Sequence, residues 1–198
     1  EGDTNLPKAI NYDTCEDMLN KIFCTDPNTL SRYESGNIIG MTDYDYAINN
    51  KMSIHFNVGK RCNFDCSYCP SHIHDNFSPF FTNKEILLAY NRLAKTINFK
   101  DKDKIITITG GEPTLQKEIV ELCSSFIDMN CKVKVLTNGT ASKNKYKQML
   151  DLGVQVIVTF HPEFTTVKIV KKVEQLKQEY GNLVNLKSMS YDNEQFKQ

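Results

Sequence analysis

One stretch decides how this chain is interpreted: Cys62-Asn63-Phe64-Asp65-Cys66-Ser67-Tyr68-Cys69-Pro70. It carries three cysteines at the spacing C-x3-C-x2-C and follows a strand-like run, residues 52–58, in which apolar and polar side chains alternate. Thiolates are the usual ligands of iron–sulfur clusters, and a [4Fe–4S] cube held by protein alone takes four of them. Three cysteines in one short loop therefore predict a cube with one iron left open for another ligand, much as a catalytic zinc keeps an open position.

A second motif, Gly110-Gly111-Glu112-Pro113, stands farther along the chain, directly after the second predicted strand. Together with the cysteine loop, and with Tyr68 just before its last cysteine, it makes the sequence resemble the radical SAM enzymes over roughly residues 51–198. The resemblance implies a [4Fe–4S] cluster on the three cysteines and S-adenosylmethionine (SAM) on the fourth iron. Its metal ligands would be Cys62, Cys66 and Cys69.

Two other interpretations of the cysteines remain open. His72 follows the last cysteine of the loop and would complete a Cys3His zinc set, which gives a zinc-stabilised binding module without catalysis. That module explains neither the second motif nor the strand before the loop. Disulfide pairing would leave at least one of the seven cysteines over. Among enzymes, an activase that places a glycyl radical on a partner protein is the alternative to the general radical SAM assignment.

The composition limits the class of protein and its partners. The chain has 198 residues, of which 40% are hydrophobic, enough for a real core. Its 24 basic and 24 acidic residues give no signal for a nucleic-acid partner. No apolar run approaches the roughly 20 residues of a membrane span, so we expect no membrane partner. Thiolate ligands require a reducing compartment, which predicts the cytoplasm.

The sequence divides into two parts. Residues 1–50 are predicted to form an N-terminal appendage, with one helix at about Asp13–Cys24 and an irregular segment after it. This part carries nine acidic and three basic residues, a net charge of −6, and residues 51–198 carry a net charge of +6. The two parts could attract each other, or both could simply have solvated surfaces. Residues 51–198 are predicted to be the radical SAM core domain.

The core domain alternates strand and helix patterns. The predicted strands are residues 52–58, 105–109, 132–136, 154–160 and 183–189. The first predicted helix starts at a capping box formed by Thr82 and Glu85. The other predicted helices are residues 116–129, 143–152 and 166–180. Repeated βα units predict parallel strands with right-handed crossovers. The expected fold is therefore α/β, a partial (βα) barrel of about five parallel strands, open or truncated at its C-terminal end. The radical SAM resemblance implies six strands as the usual number.

The motifs fall where such folds place their active sites, in the loops after the strands. The cysteine loop follows the first strand and the glycine motif the second, while Asn138 and His161 follow the third and fourth. We expect them to meet in space. No catalytic residue is predicted.

The resemblance assigns these residues to SAM. Gly110 and Gly111 of the Gly110–Pro113 motif would lie close to the methionine end, and Glu112 would help to bind the ammonium group. Asn138 and His161 are the candidates for the SAM carboxylate and ribose. Tyr68 would pack beside the adenine, or else shield the cluster from water.

Polar residues alternate along one face of several predicted strands. They are Ser53, His55, Asn57, Thr107, Thr109, Thr159, Asn185 and Lys187, with His161 continuing the fourth strand. Strands covered on both faces normally read as nearly continuous apolar runs. This face therefore predicts either a lumen that binds something polar or a half-exposed face of the sheet.

The radical SAM resemblance also implies the reaction. The reduced cluster would pass an electron to SAM, and reductive cleavage would give a 5′-deoxyadenosyl radical that abstracts hydrogen from a substrate. The electron donor would be a flavodoxin or a ferredoxin. Nothing in the sequence identifies the substrate.

Overall fold

A computed structural model describes residues 51–70, 72–96 and 102–188 of the chain. Within these ranges five strands form one sheet in the order β1-β2-β3-β4-β5, and every neighbouring pair is parallel. The predicted α/β fold with five parallel strands in an open sheet is confirmed. The predicted helix Asp13–Cys24 and the appendage of residues 1–50 lie outside the described residues.

The elements follow one another as strand and helix. The strands are β1 Lys51–Asn57, β2 Asp103–Thr109, β3 Cys131–Thr137, β4 Gln155–Phe160 and β5 Val184–Ser188. The helices are α1 Asn83–Thr96, α2 Ile119–Asp128, α3 Lys143–Asp151 and α4 Val167–Tyr180, with short 3-10 helices at Pro113–Leu115 and Gly181–Leu183. The second helix begins three residues later than predicted, because residues 116–118 form a bend and a turn between it and the 3-10 helix at Pro113–Leu115.

Local signals in the sequence set the helix ends. At the start of α1, Thr82 and Glu85 form the predicted capping box: the Thr82 N–H donates to the Glu85 carboxylate at 2.7 Å, and the Glu85 N–H donates to the Thr82 hydroxyl at 3.2 Å. The Ser142 hydroxyl caps α3 in the same way. Gly153 follows α3 with a φ of +83°, a backbone conformation that glycine adopts without strain.

The hydrophobic core lies between the sheet and its helices. Alternate residues of the strands face the helices and are buried; they include Ile54, Phe56, Ile106, Ile108, Val133, Val135, Val156 and Val158. Phe126 of α2 packs at the centre of this layer, stacked on Phe56 at 5.5 Å and edge-on to Tyr90 at 5.4 Å between ring centroids. One face of the sheet therefore anchors the helices.

The opposite face of the sheet carries polar side chains. Backbone register places His55 beside Thr107, Thr107 beside Lys134, and Lys134 beside Gln155, so these four residues form one row across β1 to β4. The polar alternation read from the sequence thus falls on one side of the sheet. That this face lines a lumen that binds a ligand stays a prediction. Among the helices of the described ranges, none has the length and apolar character needed to cross a membrane.

Candidate active site

The cysteine loop is folded back on itself where it leaves β1. The Cys62 N–H donates to the carbonyl of Asp75 at 2.6 Å, and the Asp75 N–H donates to the carbonyl of Lys60 at 3.1 Å. The Asp75 carboxylate in turn accepts hydrogen bonds from the N–H groups of Phe77 and Ser78. The backbone of Asp75 therefore closes the loop, and its side chain stabilises the turn that follows, a role common for aspartate.

All three cysteines of the loop line one cavity of about 350 Å³. Cys66 is buried, and Cys62 and Cys69 are half-buried. Burial raises the pKa of each of the three thiols. Because a metal binds the thiolate, cluster binding must release these protons. The structure thus brings the three cysteines to one cavity, and their binding of a cluster stays a prediction.

Three cysteine thiols around one cavity are a donor set that an iron–sulfur cube can use. A tetrahedral zinc at about 2.3 Å from each sulfur needs ligand atoms only about 3.8 Å apart. The described residues contain no group of three or more His, Cys, Asp or Glu side chains arranged to hold a metal ion, and His72 is exposed. A cube of four irons spaces its sulfur ligands farther apart than one ion does, as three cysteines around a cavity allow.

The two glycines of the second motif allow the turn after β2 to touch the cysteine loop. A Cβ at Gly110, where φ is +138°, would lie 2.5 Å from the carbonyl oxygen of Gly59, and a Cβ at Gly111 would lie 2.3 Å from that of Lys60. The Gly111 N–H donates to the Gly59 carbonyl at 2.8 Å. Both glycines are therefore required for contact with the chain just before Cys62. Their contact with the methionine end of SAM stays a prediction.

The Glu112 side chain is buried, with 0% of its surface exposed. Its carboxylate accepts four hydrogen bonds: from the N–H and hydroxyl of Thr114 at 2.9 and 2.5 Å, the Thr137 hydroxyl at 2.7 Å and the Asn138 N–H at 2.6 Å. Burial raises the pKa of Glu112, and the hydrogen bonds from Asn138, Thr114 and Thr137 oppose that rise. Glu112 therefore joins the turn after β2 to the turn after β3. Its predicted contact with the SAM ammonium is untested by this geometry.

Asn138 lies beside the cysteine loop, as its place after β3 predicted. It is 4% exposed. Its side-chain N–H group donates to the side-chain oxygen of Asn63 at 2.9 Å and lies 3.9 Å from the Cys62 sulfur. Its side-chain oxygen accepts from the Thr140 hydroxyl at 2.7 Å. Asn138 is thus held in one orientation at the wall of the cavity, and its role toward SAM stays a prediction.

His161 joins the turn after β4 to the same loop. Its Nδ1 lies 2.6 Å from the Tyr68 hydroxyl and 3.5 Å from the Cys66 sulfur. The rings of Tyr68 and His161 are nearly parallel, at 6°, and Phe64 meets His161 edge-on at 5.7 Å between centroids. Burial lowers the pKa of His161, which favours the neutral ring. Tyr68 and His161 therefore both lie in the wall of the cavity, and their contacts with SAM stay predictions.

The contact between Glu163 and Ser67 was not predicted from the sequence. The Glu163 carboxylate accepts hydrogen bonds from the N–H of Ser67, at 2.9 Å, and from its hydroxyl. These hydrogen bonds lower the pKa of Glu163. Glu163 stands two residues after His161 at a strand end, and this position was the only signal for it in the sequence. It fixes the loop between Cys66 and Cys69 to the turn after β4.

A family model described as Radical SAM superfamily matches residues 56–185, which include the cysteine loop, the Gly110–Pro113 motif and strands β2, β3 and β4 in full. The chain belongs to the radical SAM superfamily. Members of this superfamily are enzymes that use a [4Fe–4S] cluster and SAM, so the predicted family, enzyme class and cofactors are confirmed. The zinc-stabilised module without catalysis is set aside.

Two curated relatives show the extent of the similarity. A probable GTP 3′,8-cyclase from Methanocaldococcus jannaschii is 33% identical over 104 residues, which cover 52% of this chain and 33% of the relative. A 7-carboxy-7-deazaguanine synthase from Rickettsia prowazekii is 30% identical over 92 residues, which cover 44% of this chain and 36% of the relative. The matched part of the chain spans about a third of the length of these relatives. Neither is an activase.

Among solved structures, Streptococcus suis SuiB bound to S-adenosylmethionine is similar to this chain. The match covers 94% of this chain and 40% of SuiB, with 15% sequence identity and a TM-score of 0.47.

Proposed function

We propose that this protein binds a [4Fe–4S] cluster through Cys62, Cys66 and Cys69 and uses SAM to abstract hydrogen from a substrate. The observation that supports this most is the shared cavity: the three cysteines, both glycines of the Gly110–Pro113 motif, Asn138 and His161 all contribute to its wall. They come from the ends of four neighbouring strands, which is where parallel α/β folds assemble active sites.

When bound, the reduced cluster and SAM supply a 5′-deoxyadenosyl radical, and the protein supplies orientation and exclusion of water. Phe64 and Tyr68 place aromatic rings beside the cysteines, so water has less access to the site. Gly110 and Gly111 would bring backbone groups to the amino-acid end of SAM. Asn138 and His161 would contact its carboxylate and ribose.

The relatives suggest which substrate to test first. One is named for GTP and the other for a deazaguanine, which makes a guanine nucleotide the first compound to try. Neither name favours the glycyl-radical activase. We propose a flavodoxin or a ferredoxin as the electron donor. We also propose that the protein is located in the cytoplasm, because free thiol ligands need a reducing compartment.

The test of the cluster is anaerobic reconstitution with iron and sulfide, followed by iron and sulfide analysis. We expect brown protein with about four irons and four sulfides per chain. Replacing Cys62, Cys66 or Cys69 with alanine should abolish the colour. The matched controls are Cys123→Ala and Cys131→Ala, whose thiols are buried in the core, away from the cavity.

The reaction is then tested by measuring 5′-deoxyadenosine after addition of dithionite and SAM. Formation of this product by the wild type and not by Cys66→Ala would support the proposal. A colourless protein with one zinc, or a brown protein that forms no 5′-deoxyadenosine under any condition, would overturn it.

A further inference from the structure

We infer that the substrate of this enzyme is an anion, a phosphate ester or a carboxylate, and that the ammonium group of Lys134 binds it. This inference rests on the proposed function and narrows its substrate class. Three observations support it: the position of Lys134 below the cavity, the charge of the polar sheet face, and the contrast with Lys132 on the same strand.

Lys134 lies on the face of the sheet that lines the cavity, closer to the start of its strand. Leu136 and Thr109 line the cavity from β3 and β2. Two residues earlier on the same strands stand Lys134 and Thr107, which share that face and are paired in register. Two residues of a strand span roughly 6.6 Å. A substrate that extends from the cavity along the sheet would therefore reach Lys134 next.

The residues around Lys134 in this row are polar and none is acidic. His55, Thr107 and Gln155 continue the row on β1, β2 and β4. The described walls of the cavity above also contain no aspartate or glutamate. On β5 another lysine, Lys187, is paired with Thr159, which lines the cavity. Among the described residues, the row around Lys134 therefore carries a positive charge and no acidic side chain.

Lys134 differs from the lysine two residues before it. Lys132 shares its strand and face, but the Lys132 ammonium pairs with Asp103 at 3.3 Å, and both side chains are more than half exposed. Lys134 is half-buried, and no carboxylate within residues 51–70, 72–96 and 102–188 pairs with it. A half-buried lysine that has no carboxylate partner among the described residues favours an anionic ligand.

The test uses anaerobic calorimetry of the reconstituted holoenzyme with SAM already bound, at low ionic strength because salt screens such contacts. The probes are inorganic pyrophosphate and malonate, added in separate titrations. We expect saturable binding of one of them, and its identity distinguishes a phosphate ester from a carboxylate. Lys134→Gln should weaken this binding about tenfold, since it removes a charge-assisted hydrogen bond.

Two further variants control the experiment. Lys134→Arg keeps the charge and should restore most of the affinity, which separates loss of charge from loss of folding. Lys132→Gln is the matched control and should change the affinity by less than about twofold, because its ammonium is already paired and exposed. Thermal unfolding of each variant shows that the folded state is retained.

The inference is overturned if neither anion binds the wild type, if Lys132→Gln and Lys134→Gln lose equal affinity, or if the anion displaces SAM. The proposed function is judged separately, from 5′-deoxyadenosine formed by the wild type and by Lys132→Gln without substrate. A wild type that cleaves SAM but binds neither anion would refute the substrate class alone.

Discussion

The backbone N–H of Asn138 donates a hydrogen bond of 2.6 Å to the buried carboxylate of Glu112. This contact joins the turns after two neighbouring strands, and Asn138 then reaches the cysteine loop through Asn63. A displacement of Glu112 would therefore shift Asn138 at the wall of the cavity, even if no cysteine is changed.

The first prediction concerns Glu112→Gln. The amide keeps one acceptor oxygen and places an NH2 group among four hydrogen-bond donors, so at least one buried donor loses its partner. We expect the free energy of unfolding to fall by roughly 1–3 kcal/mol. Chemical denaturation of the cluster-free protein measures it. Reconstituted Glu112→Gln should still carry its irons, because glutamate is not an iron ligand.

The control for this variant is Glu174→Gln, on the exposed side of α4, which should change stability by less than about 0.5 kcal/mol. The SAM dependence of 5′-deoxyadenosine formation then tests the role assigned by family resemblance. A fully stable Glu112→Gln protein with weaker SAM binding would favour direct contact with the ammonium and contradict the structural role.

A second prediction concerns Gly111→Ala. The new methyl group would lie 2.3 Å from the Lys60 oxygen and 2.4 Å from the Arg61 oxygen, and both are backbone atoms that cannot move alone. We expect a loss of at least about 3 kcal/mol and lower iron content, because the clash displaces the chain that leads into Cys62.

Gly153→Ala separates this clash from backbone strain. Gly153 has a φ of +83°, and no atom of the described residues, apart from Gly153 and its two chain neighbours, lies within 4 Å of the position that a Cβ would occupy there. Alanine at this position therefore costs only the strain of a left-handed backbone, about 1–2 kcal/mol. Its iron content should match that of the wild type. Equal iron loss in the two variants would show that the contact with the cysteine loop is unimportant.

The third prediction concerns Tyr68, whose ring lies parallel to that of His161 near Cys66. If the ring shields the cluster, Tyr68→Ala should bleach severalfold faster in air than the wild type, since water and oxygen gain access. Tyr68→Phe keeps the ring and should bleach at nearly the wild-type rate. The decay of visible absorbance measures both, and identical decay of the two variants would argue against shielding.

Local patterns in the sequence predicted the elements because each carried its own signal. The Thr82 to Glu85 capping box and the glycine after α3 act within a few residues, and the strands in the described ranges ended within two residues of their predicted ends. The cysteine spacing is likewise a local property. Parallel pairing followed from the alternation of strand and helix, so the meeting of the strand ends could be predicted as well.

Contacts between distant turns could not be predicted in the same way. Nothing in the sequence shows that Glu112 is enclosed by Thr137 and Asn138, or that Glu163 binds Ser67, because these pairs form only after the strands are in register. The same holds for Gly111, whose need for glycine comes from the carbonyl groups of another loop. Resemblance assigned these residues to a cofactor, and the structure adds contacts with the protein.

The order of the sheet has a consequence for folding. Each strand pairs with the strand before it in the chain, so any two neighbouring strands can pair once both have left the ribosome. Within the described sheet, the longest connection is the one between β1 and β2, which pair from Lys51 with Asp103 and enclose the whole cysteine loop and α1. Closing the longest loop costs the most entropy. We therefore expect this pairing to be the slow step, and since it brings the Gly110–Pro113 motif against the cysteine loop, the metal-binding site should mature last.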